Sequence, residues 1–159
     1  MAIDGKAYLS GWLVALVDMV SKDIRAMSDD QWTATHGGVS KSASGCIADA
    51  LGMLKWTSVR LGGVEAPMEE TYMNSDMLAA VATRDGAMSA LQTTSEEFNA
   101  ALAAASDDDL NATIIPPWQM PAPLFMIAQI AVSHLWYHDG QVNYIQTLNG
   151  DKEVHWMDQ

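Results

Sequence analysis

Apolar residues recur at three- and four-residue steps in four long stretches of this chain, and segments rich in Gly, Pro, Ser, Thr and Asp separate them. In the first stretch, Lys6 to Met27, the positions Leu9, Leu13, Leu16, Val20, Ile24 and Met27 share one side of a helical repeat. Such a stripe predicts an amphipathic helix facing a core. Ser28-Asp29-Asp30 ends it, and Thr33 to Ser44 reads as a loop closing on a helix cap. A second helix is predicted from Ser42 to Leu61, with Ile47, Leu51, Leu54 and Leu61 on one line and Cys46, Asp49, Met53 and Trp56 on another. Gly62-Gly63 and Pro67 stop it, and the linker to Asn74, with Glu65, Glu69 and Glu70, is expected to be exposed.

A third helix is predicted from a cap at Ser75 to about Ala105, with Val81, Met88, Leu91, Phe98 and Leu102 facing inward. Gly86 and Thr93-Thr94-Ser95 are its expected bending points, and Ser106 to Asp109 closes it. Pro116, Pro117, Pro121 and Pro123 exclude helix interior, so this span reads as an extended linker or a short irregular hairpin. The fourth helix starts between Pro121 and Leu124, runs to Leu148 and stops at Asn149-Gly150; the tail with His155 and Trp156 is not periodic. Four long helices without a convincing sheet predict an all-α four-helix bundle, one domain over residues 1–159.

Composition agrees with a single core: 159 residues, 49% hydrophobic and 18% charged. Twenty acidic against eight basic residues give a net charge of −12. That balance opposes a nucleic-acid partner, which needs a basic footprint, and opposes docking on an anionic membrane. The start, Met1 to Lys6, lacks the basic-then-apolar order of a signal peptide, and no apolar run is long enough for a bilayer. With Cys46 alone there is no internal disulfide, which fits a cytoplasmic setting.

Candidate chemistry concentrates in the fourth helix. His134 and His138 are four residues apart, so they stack on one helix face and can reach one cation. Ile127 and Ile130 precede them and Val142 and Ile145 follow, which points both rings into the bundle. Buried imidazoles need partners, and a hydrogen-bonded core pair is the plainer alternative to a metal site. Asp49, between Cys46 and Met53, adds a carboxylate from a second helix; the alternative is an ordinary exposed position. Two nitrogens and one oxygen from two helices leave coordination open for water or substrate, as in catalytic divalent sites.

The stretch His134-x-x-x-His138-x-Gly140-Gln141-x-x-Tyr144-Ile145-x-x-Leu148-x-Gly150 resembles the last helix of the DinB-like, or YfiT-like, bundle metalloproteins. The resemblance implies an up-down-down-up bundle that binds a divalent metal, commonly nickel or zinc, through three side chains. It also implies a homodimer and, for some relatives, thiol-dependent transfer or isomerisation. The family's usual third ligand is a second-helix histidine, and Asp49 stands at the matching position to within a turn. Asp139 and Gln146 replace arginines usual in the family.

Other residues have readings of their own. Cys46 could be a ligand or nucleophile, or inert core. Tyr137 and Tyr144 could offer a phenol to a substrate, or pack; Gln141 could orient a ligand or tie helix four to a neighbour. His36 and His155 read as surface residues, although His36 could close over the site from its loop. Gly37-Gly38 lacks the residues of a phosphate loop, and Asp107 to Asp109 lacks a calcium-loop pattern. Six tryptophans and 11 methionines suit core filling, a ligand cavity or a dimer face. The expected function is a metal-dependent thiol transferase or hydrolase acting on a small molecule. The alternatives are a non-catalytic ligand-binding or self-associating bundle.

Overall fold

A computed structural model describes residues 4–65, 67–72 and 74–157, without the side chain of Glu69. Met1 to Ile3, where a leader would begin, lie outside the described residues. Four long helices carry the fold: α1 (Gly5–Ala26), α3 (Ala43–Leu61), α6 (Arg84–Ala104) and α8 (Leu124–Leu148). Between them lie short helices α2 (Asp29–Thr33), α4 (Met68–Thr71), α5 (Ser75–Ala80) and α7 (Asp107–Asn111). Two antiparallel two-residue strands, β1 (Thr113–Ile114) and β2 (Ala122–Pro123), bracket the proline-rich loop.

The neighbours around the bundle run α1, α6, α3, α8 and back to α1. Contacts across helices fix their directions. Lys6 at the start of α1 donates to the carbonyl of Ala105 beyond the end of α6, while Arg84 at the start of α6 donates to Met27 O after α1. Those two helices are therefore antiparallel. Asp49 in the second turn of α3 meets His138 just past the middle of α8, whereas Leu61 at the end of α3 and Leu124 at the start of α8 share a cavity, so α3 and α8 are antiparallel too. Gly5 touches Phe125 and Asp23 meets Asn143, which makes α1 and α8 parallel. The result is the up-down-down-up order expected from the sequence.

The predicted stripes form the core. Leu13, Leu16, Ile24, Ile47, Leu51, Leu54, Leu91, Phe98, Ile127 and Leu135 are fully buried, each contributing about 1.5–3 kcal/mol of burial. Each long helix also has a start signal. Asp4, Ser42 and Thr83 accept backbone N–H groups at the starts of α1, α3 and α6, and Pro123 precedes the first residue of α8.

The third predicted helix is not continuous. It breaks at residues 81–83 into α5 and α6, and it passes straight through Thr93-Thr94-Ser95. Thr83 Oγ1 accepts from Gly86 N and starts a new helix, and Trp32 Nε1 donates to Val81 O at the break. Gly86 serves a close approach: a Cβ there would lie 2.2 Å from Ala80 O. Asp107 to Asp109 is not the end of a helix either. Ser106 and Asp109 form a capping box that opens α7. The proline span takes the hairpin form, and Glu65 and Glu70 are exposed as expected.

Candidate metal centre

The site forms where the first turns of α3 meet the middle of α8. Ser42 accepts from Gly45 N at 3.1 Å and fixes the start of α3, which turns Cys46 and Asp49 toward α8. One turn apart on α8, His134 and His138 present their rings to Asp49. His138 Nε2 lies 3.2 Å from Asp49 Oδ2 and 3.2 Å from His134 Nε2. One ligand atom from each of the three residues falls within 4.8 Å of the others. His138 and Asp49 are 2% and 6% exposed, and His134 is half-buried, nearer the mouth.

Gln141 sets the tautomer of His138. Its amide nitrogen donates to Tyr137 Oη at 3.0 Å, so its oxygen faces inward as a pure acceptor. That oxygen takes the Nδ1–H of His138 at 2.7 Å and the Cys46 S–H at 3.4 Å. His138 Nε2 is thereby left with its lone pair aimed at the centre. Burial pushes both imidazoles below their ordinary pKa, and for His138 the neighbouring His134 adds to the effect. Both rings are neutral at neutral pH, the form a metal requires. Burial pushes the Cys46 thiol up, which keeps it protonated and committed to Gln141.

These residues fit a divalent ion. A cation bound at about 2.1 Å by imidazole and carboxylate sets neighbouring ligand atoms about 3.0–3.4 Å apart in octahedral or tetrahedral geometry; the two spacings from His138 Nε2 are 3.2 Å and fall inside that range, and all three ligand atoms lie within 4.8 Å of one another. Asp49 Oδ1 and His134 Nδ1 are buried without a hydrogen-bond partner, so the protein alone leaves the cluster incomplete. Lys41, from the loop before α3, places its ammonium on Asp49 Oδ2, the same oxygen that faces His138.

The centre opens into a cavity of about 560 Å³. His36, Val39 and Lys41 line it from the loop, and Tyr137, Tyr144 and Leu148 from α8. Tyr137 and Tyr144 are 62% and 64% exposed, so they wall the cavity instead of packing in the core. His36 is at the surface and faces this cavity, while His155 bonds Asp151 in the tail at 2.8 Å.

On the opposite flank of α8, Asp139 turns toward α1 and meets Asp23, both fully buried. Burial and then the Asp23 carboxylate push Asp139 up to about 8. Asp23 is also raised by burial, against the hydrogen bond from Asn143 at 3.0 Å. The Oδ1 atoms of both residues are buried without other partners, which fits two carboxyl groups sharing one proton. Gln146 donates to Asp23 O at 2.9 Å, so Asp139 and Gln146 both serve this α1–α8 contact.

The sequence named the three residues that converge here and Gln141, and did not point to Lys41 or Asp23. Asp23 had a signal: it follows Val20 by three residues and so falls on the buried stripe of α1. Lys41 had none, because a loop residue has no periodicity to place it.

Neither a protein-family model nor a curated protein sequence matches the chain. Solved structures match in fold. A DinB-like protein from Bacillus subtilis aligns with a TM-score of 0.67 at 13% identity, over 96% of this chain and 99% of that one. A DinB-like protein from Bacillus cereus aligns at 0.59 and 15% identity, over 90% and 91%. The mycothiol-dependent maleylpyruvate isomerase aligns at 0.63 and 11% identity, over 86% of this chain and 60% of its own. The four helices, their up-down-down-up order and these superpositions together give the chain a DinB-like fold.

Proposed function

We propose that the protein binds one divalent metal ion, nickel or zinc, through Asp49, His134 and His138, and uses it on a small molecule held in the adjoining cavity. The observation that carries this reading is the convergence of three ligand atoms within 4.8 Å of one another, with His138 Nε2 3.2 Å from both Asp49 Oδ2 and His134 Nε2 and no partner for Asp49 Oδ1. When bound, such an ion supplies Lewis acidity: it polarises a substrate oxygen or lowers the pKa of a bound water or thiol. The protein supplies the rest. Gln141 holds His138 in its metal-competent tautomer, Tyr137 holds Gln141, and the buried side of the site excludes water. Cys46 is not the nucleophile in this reading, since its proton is raised and engaged by Gln141. A thiol-transfer reaction draws support from the fold shared with the mycothiol-dependent isomerase, and hydrolysis is the alternative chemistry of the same centre.

Metal analysis tests the reading. After incubation with nickel or zinc and dialysis at neutral pH, about one ion per chain is expected; a value near zero overturns it. Both histidines titrate below their usual 6.5, so uptake persists somewhat below that pH and fades as the rings protonate.

A second reading is a non-catalytic bundle that holds a ligand or pairs with itself as a homodimer. It is favoured by an exposed aromatic strip on α1 and α8, where Trp12 and Trp136 stack edge-on at 5.4 Å and Tyr8 lies open. Metal-dependent turnover in thiol-transfer or ester-hydrolysis screens separates the two.

A further inference from the structure

We propose that Lys41 is the anion anchor of the cavity, so that the small molecule taken there carries a carboxylate or phosphate group beside an apolar body. The inference rests on the metal reading above and extends it to a substrate class.

The Lys41 ammonium sits on Asp49 Oδ2, the oxygen that also faces His138 Nε2 at 3.2 Å. An ion held by Asp49, His134 and His138 would meet the same oxygen, and two cations at such range repel. The ammonium then has to turn away from Asp49. Its stem allows this: Lys41 stands on a loop, its side chain is about half exposed, and it already lines the cavity. Among the described residues lining that cavity, Lys41 is the one ammonium and Asp49 the one carboxylate. Their charges cancel, so a divalent ion leaves the cavity positive within a chain of net charge −12. The overall field repels anions, and only a local cation at the mouth can seat one. The rest of the wall is apolar or aromatic, with Val39, Tyr144, Ile145 and Leu148 available to an uncharged body.

Calorimetric titration of the nickel-loaded protein with benzoate, phenyl phosphate and the neutral benzamide tests this, beside nickel affinity measured against a chromophoric chelator. At least one anion should bind about tenfold or more tightly than benzamide. Lys41→Met should erase that preference, leave benzamide binding unchanged and bind nickel as tightly as the parent or more so. Lys41→Arg should keep the preference. The anion that responds to Lys41 assigns carboxylate or phosphate. Equal anion binding by Lys41→Met and parent, or no preference in the parent, overturns the anchor while the metal reading stands. Loss of nickel by Lys41→Met also overturns it, because Lys41 would then support Asp49. A parent that takes up no nickel removes both readings.

Discussion

His138 and Asp139 are consecutive residues, both 2% exposed, yet they belong to buried polar clusters of opposite character. On the α3 side, His138 meets His134 and Asp49, and the Lys41 ammonium also reaches Asp49. On the α1 side, Asp139 meets Asp23 amid amide donors from Asn143 and Gln146. The second cluster is held by one shared proton and by the Asn143 amide on Asp23 Oδ2, with Gln146 on the Asp23 backbone carbonyl; the Oδ1 atoms of both carboxyl groups have no partner. In the first, the Lys41 ammonium is the one cation on Asp49 Oδ2, and Asp49 Oδ1 and His134 Nδ1 are left without a partner. Similar burial therefore says little about function. What sets the α3 cluster apart is that a carboxylate and two imidazoles bring their ligand atoms within 4.8 Å of one another.

Removing one carboxylate from each side should break that comparison most clearly. Asp49→Ala deletes the only oxygen of the triad and leaves two imidazoles on one helix. Metal affinity by chelator competition should fall by more than about 100-fold. The variant should stay folded, because Lys41 loses only a half-exposed ion pair. Unchanged affinity would move the third ligand elsewhere, with Cys46 the nearest candidate on α3.

The next effect concerns the residue that points a ligand without being one. Gln141→Leu keeps the volume on α8 but removes the acceptor for His138 Nδ1–H and Cys46 S–H and the donor to Tyr137. His138 is then free to protonate Nε2 and turn its lone pair away. Metal affinity should drop roughly 10- to 100-fold at neutral pH. A loss below twofold would mean that ring packing, not Gln141, fixes the tautomer.

The same contrast marks what the sequence could reveal. Periodicity found α1, α3 and α8 because an apolar stripe several turns long seldom arises except on a packed helix, as Leu9 to Met27 illustrates. It overran the break at residues 81–83, since Val81, Met88 and Leu91 keep helical spacing across a turn that Thr83 and Gly86 impose. α2, α4 and α7 are too short to show any period, and only caps such as Ser28 and Ser106 betray two of them. At the site, His134 and His138 were legible as a pair on one face, and Asp49 as a carboxylate among apolar neighbours. Lys41 and His36 reach the cavity from a loop whose path depends on tertiary packing. The pairing of Asp23 with Asp139 depends on the parallel packing of α1 on α8, which no local pattern encodes.

Asp139→Asn, the counterpart of Asp49→Ala, should act on stability and its pH dependence and leave metal uptake near the parent value. In the folded chain Asp139 titrates at about 8, against 3.8 as its ordinary value. Between those values the folded state holds a proton that the unfolded state releases. Parent stability is therefore highest at the acid end of this window and declines as pH rises through it. An asparagine stays neutral at every pH, and its amide can donate to Asp23 where the shared proton did. The variant should lose most of that slope and gain on the parent between pH 5 and 8, by on the order of 2 kcal/mol. Urea unfolding of the metal-free protein at several pH values reads the difference directly. Parallel pH profiles for the two proteins would show that Asp139 is ionised in the fold. Asp23 and Asp139 would then share no proton, and the two carboxylates would face each other as like charges.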